Sequence, residues 1–113
     1  MKPSLLYVDD EPINLLNMQV SLQDDFTVYT ASNGQAALDV LATTEIDVLC
    51  TDQRMPGMTG VELAERTRAE GLSLPIVIVT GYIDDQAVND SLQNQTVQDV
   101  IVKPYTLKRF TDT

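Results

Sequence analysis

The sequence predicts a three-layer α/β sandwich built around a five-stranded parallel sheet. Short apolar runs at 4–8, 26–30, 46–51, 75–79 and 97–102 alternate with longer amphipathic stretches. Some runs are apolar without interruption, such as Ile76-Val77-Ile78-Val79. That pattern suits strands covered on both faces rather than strands with one wet side. Regular strand–helix alternation then implies right-handed crossovers and a single sheet between helical layers.

The elements follow in order. Ser4-Leu5-Leu6-Tyr7-Val8 forms the first strand and stops at Asp9-Asp10. The helix at 13–22 places Leu15, Met18 and Leu22 at i, i+3 and i+7, with Ile13, Leu16 and Val20 as a neighbouring apolar row. After the strand at 26–30, the Asn33-Gly34 turn leads into a helix at 35–41 that gathers Ala37, Val40 and Leu41 on one face. The strand at 46–51 ends on Asp52. The helix at 60–70 turns Val61 and Ala64 inward, spaces Glu62 and Arg66 i,i+4 outside, and stops at Gly71. The strand at 75–79 ends on Thr80. A helix at 84–94 has only Ala87, Val88 and Leu92 as apolar anchors and is the weakest of the set. The strand at 97–102 precedes Lys103-Pro104, and a last helix starts near Thr106. The eight residues at 106–113 make about two turns, which is short for a covering helix.

Composition removes several function classes. The 113 residues carry 17 Asp and Glu against 7 Lys and Arg and no His, a formal net charge of −10. This length supports one domain that buries roughly two-thirds of its unfolded surface. At 43% hydrophobic and 21% charged residues, the chain reads as an ordinary globular protein. The acidity opposes non-specific nucleic-acid binding and attraction to an anionic membrane surface. The absence of His excludes imidazole acid–base or triad chemistry within these residues. Cys50, the lone cysteine, forms no internal disulfide and reads as a small buried hydrophobe. The start turns acidic too soon for a signal peptide, and no stretch approaches the roughly 20 apolar residues of a membrane span. A cytoplasmic location is the expectation.

Ligands of doubly wound sheets bind beyond the carboxyl ends of the strands. There this sequence places Asp9, Asp10, Asp52, Thr80 and Lys103. The intervals Asp52 to Thr80 and Thr80 to Lys103 each fit one strand–helix–strand step, and Asp10 to Asp52 fits two. Clustered carboxylates repel, and a hard cation relieves the repulsion. Mg²⁺ accepts one or two carboxylates and keeps sites for phosphate oxygens. A carboxylate can attack phosphorus to form an aspartyl phosphate. The Thr80 hydroxyl and the Lys103 ammonium would help neutralise the phosphoryl oxygens. Taken alone, Asp9-Asp10-Glu11-Pro12 would equally suit a helix start. The five residues together carry the chemical reading.

At these positions the sequence resembles the receiver domain of two-component response regulators, the CheY-like family. The matching pieces are Leu6-Tyr7-Val8-Asp9-Asp10-Glu11-Pro12, the segment from Asp52 through Arg54-Met55-Pro56-Gly57 to Gly60, Val79-Thr80-Gly81-Tyr82, and Lys103-Pro104-Tyr105. The resemblance implies strand order 2-1-3-4-5 and Asp52 as the phosphoacceptor. It also implies that Asp9 and Asp10, with Asp52 and the backbone carbonyl of Arg54, hold Mg²⁺. Lys103 then pairs with the phosphoryl group and the Thr80 hydroxyl follows it. The implied donor is a sensor histidine kinase or a phosphotransfer protein. The implied recipient is a C-terminal effector domain or a downstream protein, with a homodimer through the fourth-helix face also compatible. The family's Lys-Pro bond is often cis, which Lys103-Pro104 would share. Residues 1–113 read as one receiver, the N-terminal part of a longer protein.

One departure concerns switching. Receivers usually carry Tyr or Phe three residues before the lysine, where this chain has Val100. A valine has little range of movement, so the signal is expected to leave through the marginal fourth helix and its neighbours. Arg54 and Tyr82 would border the phosphoryl group without a catalytic role. Two other functions compete. A haloacid-dehalogenase phosphatase needs an Asp two residues after its nucleophile, where Arg54 stands, and a cap domain. The other is a receiver-shaped interaction module outside phosphorylation control, which Val100 keeps open and the acidic set opposes.

Overall fold

The computed structural model describes residues 2–81 and 85–102. Among them the chain runs β1 (Ser4–Val8), α1 (Pro12–Leu22), β2 (Thr27–Ala31), α2 (Gly34–Thr43), β3 (Val48–Asp52), α3 (Gly60–Ala69), β4 (Ile76–Thr80), α4 (Gln86–Gln93) and β5 (Asp99–Val102). The sheet order is β2-β1-β3-β4-β5 with every pair parallel, as expected. The last helix expected from Thr106 lies outside the described residues.

Two apolar layers flank the sheet, as the near-continuous strand runs require. Leu6, Val8, Leu49, Ile76 and Ile78 face α2, α3 and α4, where they meet Ala37, Leu63, Ala64 and Val88. Leu5, Tyr7, Cys50, Val77, Val79 and Ile101 face the other way, and Met18 and Leu22 of α1 pack on them. A cavity of about 640 Å³ on this second face, lined by Leu5, Cys50, Val77 and Ile101 among others, lies away from the strand-end carboxylates. Cys50 is buried and free, and burial beside the Asp52 and Asp9 charges pushes its thiol pKa well up.

Helix ends follow local chemistry. The Asn33 side chain caps α2 by accepting the Ala36 N–H (2.8 Å), so the helix begins at Gly34 inside the expected turn. Thr59 and Glu62 form a capping box on α3. Thr59 Oγ1 accepts the Glu62 N–H (3.1 Å), and Glu62 Oε1 accepts the Thr59 N–H (2.9 Å). The Thr59 N–H, with its hydroxyl next in weight, holds the Glu62 carboxyl below its ordinary pKa, and Arg66 adds to the effect. Gly71 takes φ +84°, the left-handed value that ends α3.

One open choice is resolved and two expectations need correction. In α1 only the Leu15, Met18 and Leu22 row packs inward, while Ile13, Leu16 and Val20 are 58%, 55% and 57% exposed. An eleven-residue helix on a sheet buries one stripe, and the second apolar row falls outside it. In α4 the inward pair is Val88 and Ser91, with Ala87 and Leu92 exposed, because Ser91 Oγ donates to the Val88 carbonyl (2.7 Å) and so can enter the core. Strand β5 starts at Asp99 rather than 97. Gln95 turns the chain at φ +66°, leaving Val97 buried but outside the ladder.

Candidate functional site

The site grows from the carboxyl ends of β1 and β3, adjacent strands in the sheet. Asp9 continues β1 by donating its N–H to the Ala31 carbonyl (3.1 Å), and its carboxylate has no exposure to solvent. A buried carboxylate needs donors, and three are present. Oδ1 accepts the Glu11 N–H (3.0 Å), while Oδ2 accepts the Asn14 side-chain amide (3.1 Å) and, at 3.4 Å, the Tyr7 hydroxyl. Asp10 is exposed. Asp52 closes β3 with 9% of its surface exposed, and its Oδ1 accepts the Gln53 N–H (3.1 Å).

These three acids each bring one carboxylate oxygen within 4.8 Å of the others. Like charges at that spacing repel by roughly 1 to 3 kcal/mol per pair between the bulk-water and protein-surface limits. The donors on Asp9 offset part of this, and a divalent cation would reverse the rest. The donor set is all hard oxygen with one acid open to solvent, which fits Mg²⁺ better than a softer metal.

Thr80 ends β4, is 1% exposed, and pairs in register with Val102, the residue before Lys103. Asp52 aligns with Val79, so the acceptor candidate and the hydroxyl stand on adjacent strand ends. Lys103, Pro104 and Tyr82 lie outside the described residues. Arg54, two residues after Asp52, is exposed, and Val100 is half-buried against the α2–α4 layer.

Sequence reasoning missed the supports. Asn14 and Tyr7 hold Asp9, and Gln53, 4% exposed, is tied by its side chain to two helices. The available signal for Gln53 was the strand alternation through Leu49 and Thr51, which turns an amide inward next to Asp52.

Residues 5–113 match the response regulator receiver domain family, and the chain belongs to that family. It is 36% identical over 108 residues to the sensor histidine kinase GacS of Pseudomonas protegens, covering 90% of this chain and 12% of that protein. It is 28% identical over 92 residues to sporulation initiation phosphotransferase F of Bacillus subtilis, covering 80% of this chain and 74% of that one. The response regulator TrrA of Thermotoga maritima, solved with Mg²⁺ and beryllofluoride, superposes with a TM-score of 0.84 at 27% identity, covering 99% and 95% of the two chains. The chain spans 8% to 23% of the length of the first curated relatives it matches. The family acts as phosphoacceptors in two-component signalling, and the reading of an interaction module outside phosphorylation control is not favoured. Among the described residues no helix is long and apolar enough to cross a membrane.

Proposed function

We propose that Asp52 accepts a phosphoryl group from a phosphohistidine of a sensor kinase or phosphotransfer protein, and that the resulting charge change switches an output. The observation that carries this reading is the meeting of the Asp9, Asp10 and Asp52 carboxylate oxygens within 4.8 Å at the carboxyl edge of a parallel sheet. Asp9, Asp10, Asp52 and the Arg54 backbone carbonyl would hold Mg²⁺. When bound, that ion supplies charge neutralisation for the phosphoryl oxygens.

The chain's own residues do the rest. Asn14, Tyr7 and the Glu11 N–H fix the fully buried Asp9, which leaves Asp52, with 9% of its surface exposed, as the strand-end acid that retains some access to solvent. An Asp52 carboxylate oxygen attacks phosphorus, and the donor's bond to phosphorus breaks with its electron pair leaving on the donor nitrogen. Thr80 and Lys103 would receive the transferred phosphoryl oxygens by hydrogen bond and charge. No metabolite is turned over in this scheme.

The donor protein is proposed to seat on α1. That helix carries no charged residue, starts beside Asp9 and Asp10, and shows Ile13, Leu16 and Val20 to solvent in one row. Such a stripe suits an apolar helical partner whose phosphohistidine must reach the adjacent strand ends. An effector joined beyond Thr113, or a separate downstream protein, would read the result, and the 113 residues would act in the cytoplasm as one module of a longer protein.

The test is incorporation of label from a small phosphodonor with and without Mg²⁺. A base-labile label that needs Mg²⁺ and vanishes in Asp52→Asn supports the proposal. Rapid turnover without accumulation would indicate a phosphatase, and no label at all would indicate a module outside phosphorylation control.

A further inference from the structure

Gln53 sits between the acceptor and α4. Its N–H donates to Asp52 Oδ1 (3.1 Å) and lies 3.2 Å from the Val79 carbonyl. Its side-chain Oε1 accepts the Val61 N–H (2.9 Å) in the first turn of α3. Its Nε2 donates across to Asp85 Oδ2 at 3.5 Å. Asp85 in turn caps α4, because its Oδ1 accepts the Val88 N–H (3.2 Å). One buried amide thus joins the residue after Asp52 to the start of two helices.

We propose that Gln53 is the positioning residue that carries the state of Asp52 to α4, through its side-chain amide and the Asp85 cap. This rests on the reading of Asp52 as the acceptor. When a phosphoryl group bonds to Asp52, one carboxylate oxygen becomes the ester and the other a neutral carbonyl. The Asp52 oxygen that accepts the Gln53 N–H is then no longer a carboxylate oxygen, and a bond to it falls to about half the strength. The Gln53 backbone answers first, and its side chain moves with it.

The two side-chain bonds are unequal. The arm to Val61 is short and backed by close packing, since a Cβ on Gly60 would stand 2.5 Å from the Asp52 carbonyl oxygen and 3.1 Å from Gln53 Oε1. The arm to Asp85 is at the outer limit of a hydrogen bond, so a displacement of a few tenths of an ångström makes or breaks it. What it governs is the cap of an eight-residue helix, a length at which the cap matters to whether the first turn forms. Val100, packed against the same layer, lacks a ring that could swing. The Gln53–Asp85 pair offers a polar route from the acceptor to α4 that needs no aromatic rotamer.

The test follows backbone amides by NMR on the full chain during titration with Mg²⁺ and beryllofluoride. The Asp52 and Gln53 amides report occupancy of the acceptor, and those of Val88 and Asn89 report α4. In the unsubstituted chain both groups should shift. Gln53→Glu keeps the acceptor for Val61 but sets a carboxylate against Asp85, and should cut the α4 shifts about threefold or more with the site shifts retained. Adding Asp85→Asn restores a donor facing that carboxylate and keeps a good cap, so the pair should recover most of the α4 response. Gln53→Met, close in volume and without polar atoms, should lose the α4 response as well, and it serves if the added charge of Gln53→Glu unfolds the chain. Full α4 shifts in either single variant, with site shifts present, would overturn the proposal. So would failure of the paired substitution to recover them. If the site amides of the unsubstituted chain stay still, the acceptor reading itself fails and this inference falls with it.

Discussion

At Asp9 the Asn14 amide, the Tyr7 hydroxyl and the Glu11 N–H all donate to one fully buried carboxylate, whereas Asp10 next to it stands in solvent. That asymmetry makes Asp9 the fixed member of the cluster and Asp10 the adaptable one. Asn14→Ala removes the best-formed side-chain donor and should weaken Mg²⁺ binding by roughly tenfold, as loss of a group that orients a metal ligand commonly does. Isothermal titration checks this, and unchanged affinity would mean that Tyr7 and Glu11 suffice. Gly60 is a second fixed point. Gly60→Ala sets a methyl against the Asp52 carbonyl oxygen, a backbone atom that cannot swing aside, so the β3–α3 junction must shift. The expected result is a loss of phosphodonor labelling greater than the loss of thermal stability explains. Asp9, Asp10, Asp52 and Thr80 were legible in the sequence because each is a polar residue that ends an apolar run. Asn14 was not, and of Gln53 only the inward direction was, since an amide's partners depend on neighbours that only the fold supplies.

Among the elements, α3 has the best-defined start and α1 the most open face. The capping box makes Thr59→Ala cost about 1 kcal/mol in urea unfolding. Its partner Glu62 gives that contribution a pH dependence of known sign. The folded carboxyl titrates below its ordinary value of 4.5, so the stabilisation is present above that pH and is lost as pH falls through the lowered value. Glu62→Gln should therefore flatten the acid side of the stability curve and leave the neutral side little changed. On α1, Leu16→Glu should slow phosphoryl transfer from a partner protein while leaving labelling by a small phosphodonor intact, because Leu16 is exposed and remote from the sheet core. Equal loss with both donors would place Leu16 in the fold instead. Helix positions and one packing stripe could be read from period alone. Which of two apolar rows on α1 turns inward could not, because both have helical spacing and only packing on Leu5, Tyr7 and Val79 chooses between them.

For the whole molecule, parallel order 2-1-3-4-5 puts β1 and β3 side by side, and that adjacency brings acids distant in sequence to one edge. Leu6, fully buried at the centre of one layer, holds the arrangement, and Leu6→Ala should destabilise the chain by about 3 kcal/mol, read from the urea midpoint. Strand number and parallel pairing were visible in the alternation of apolar runs and amphipathic stretches. The formal charge of −10 was visible too, but its partition was not, as composition weighs Asp9, Asp10 and Asp52 no differently from the acids on exposed helix faces. Only the sheet gathers those three. In the proposed function the gathered set directs a phosphoryl group to one of them, Asp52. Borohydride reduction after treatment with a phosphodonor converts an aspartyl phosphate to homoserine, and peptide mass spectrometry then locates the change. Homoserine is expected at position 52 alone and only when Mg²⁺ was present. Homoserine at position 9 or 10, or none at position 52 under the same conditions, would contradict it.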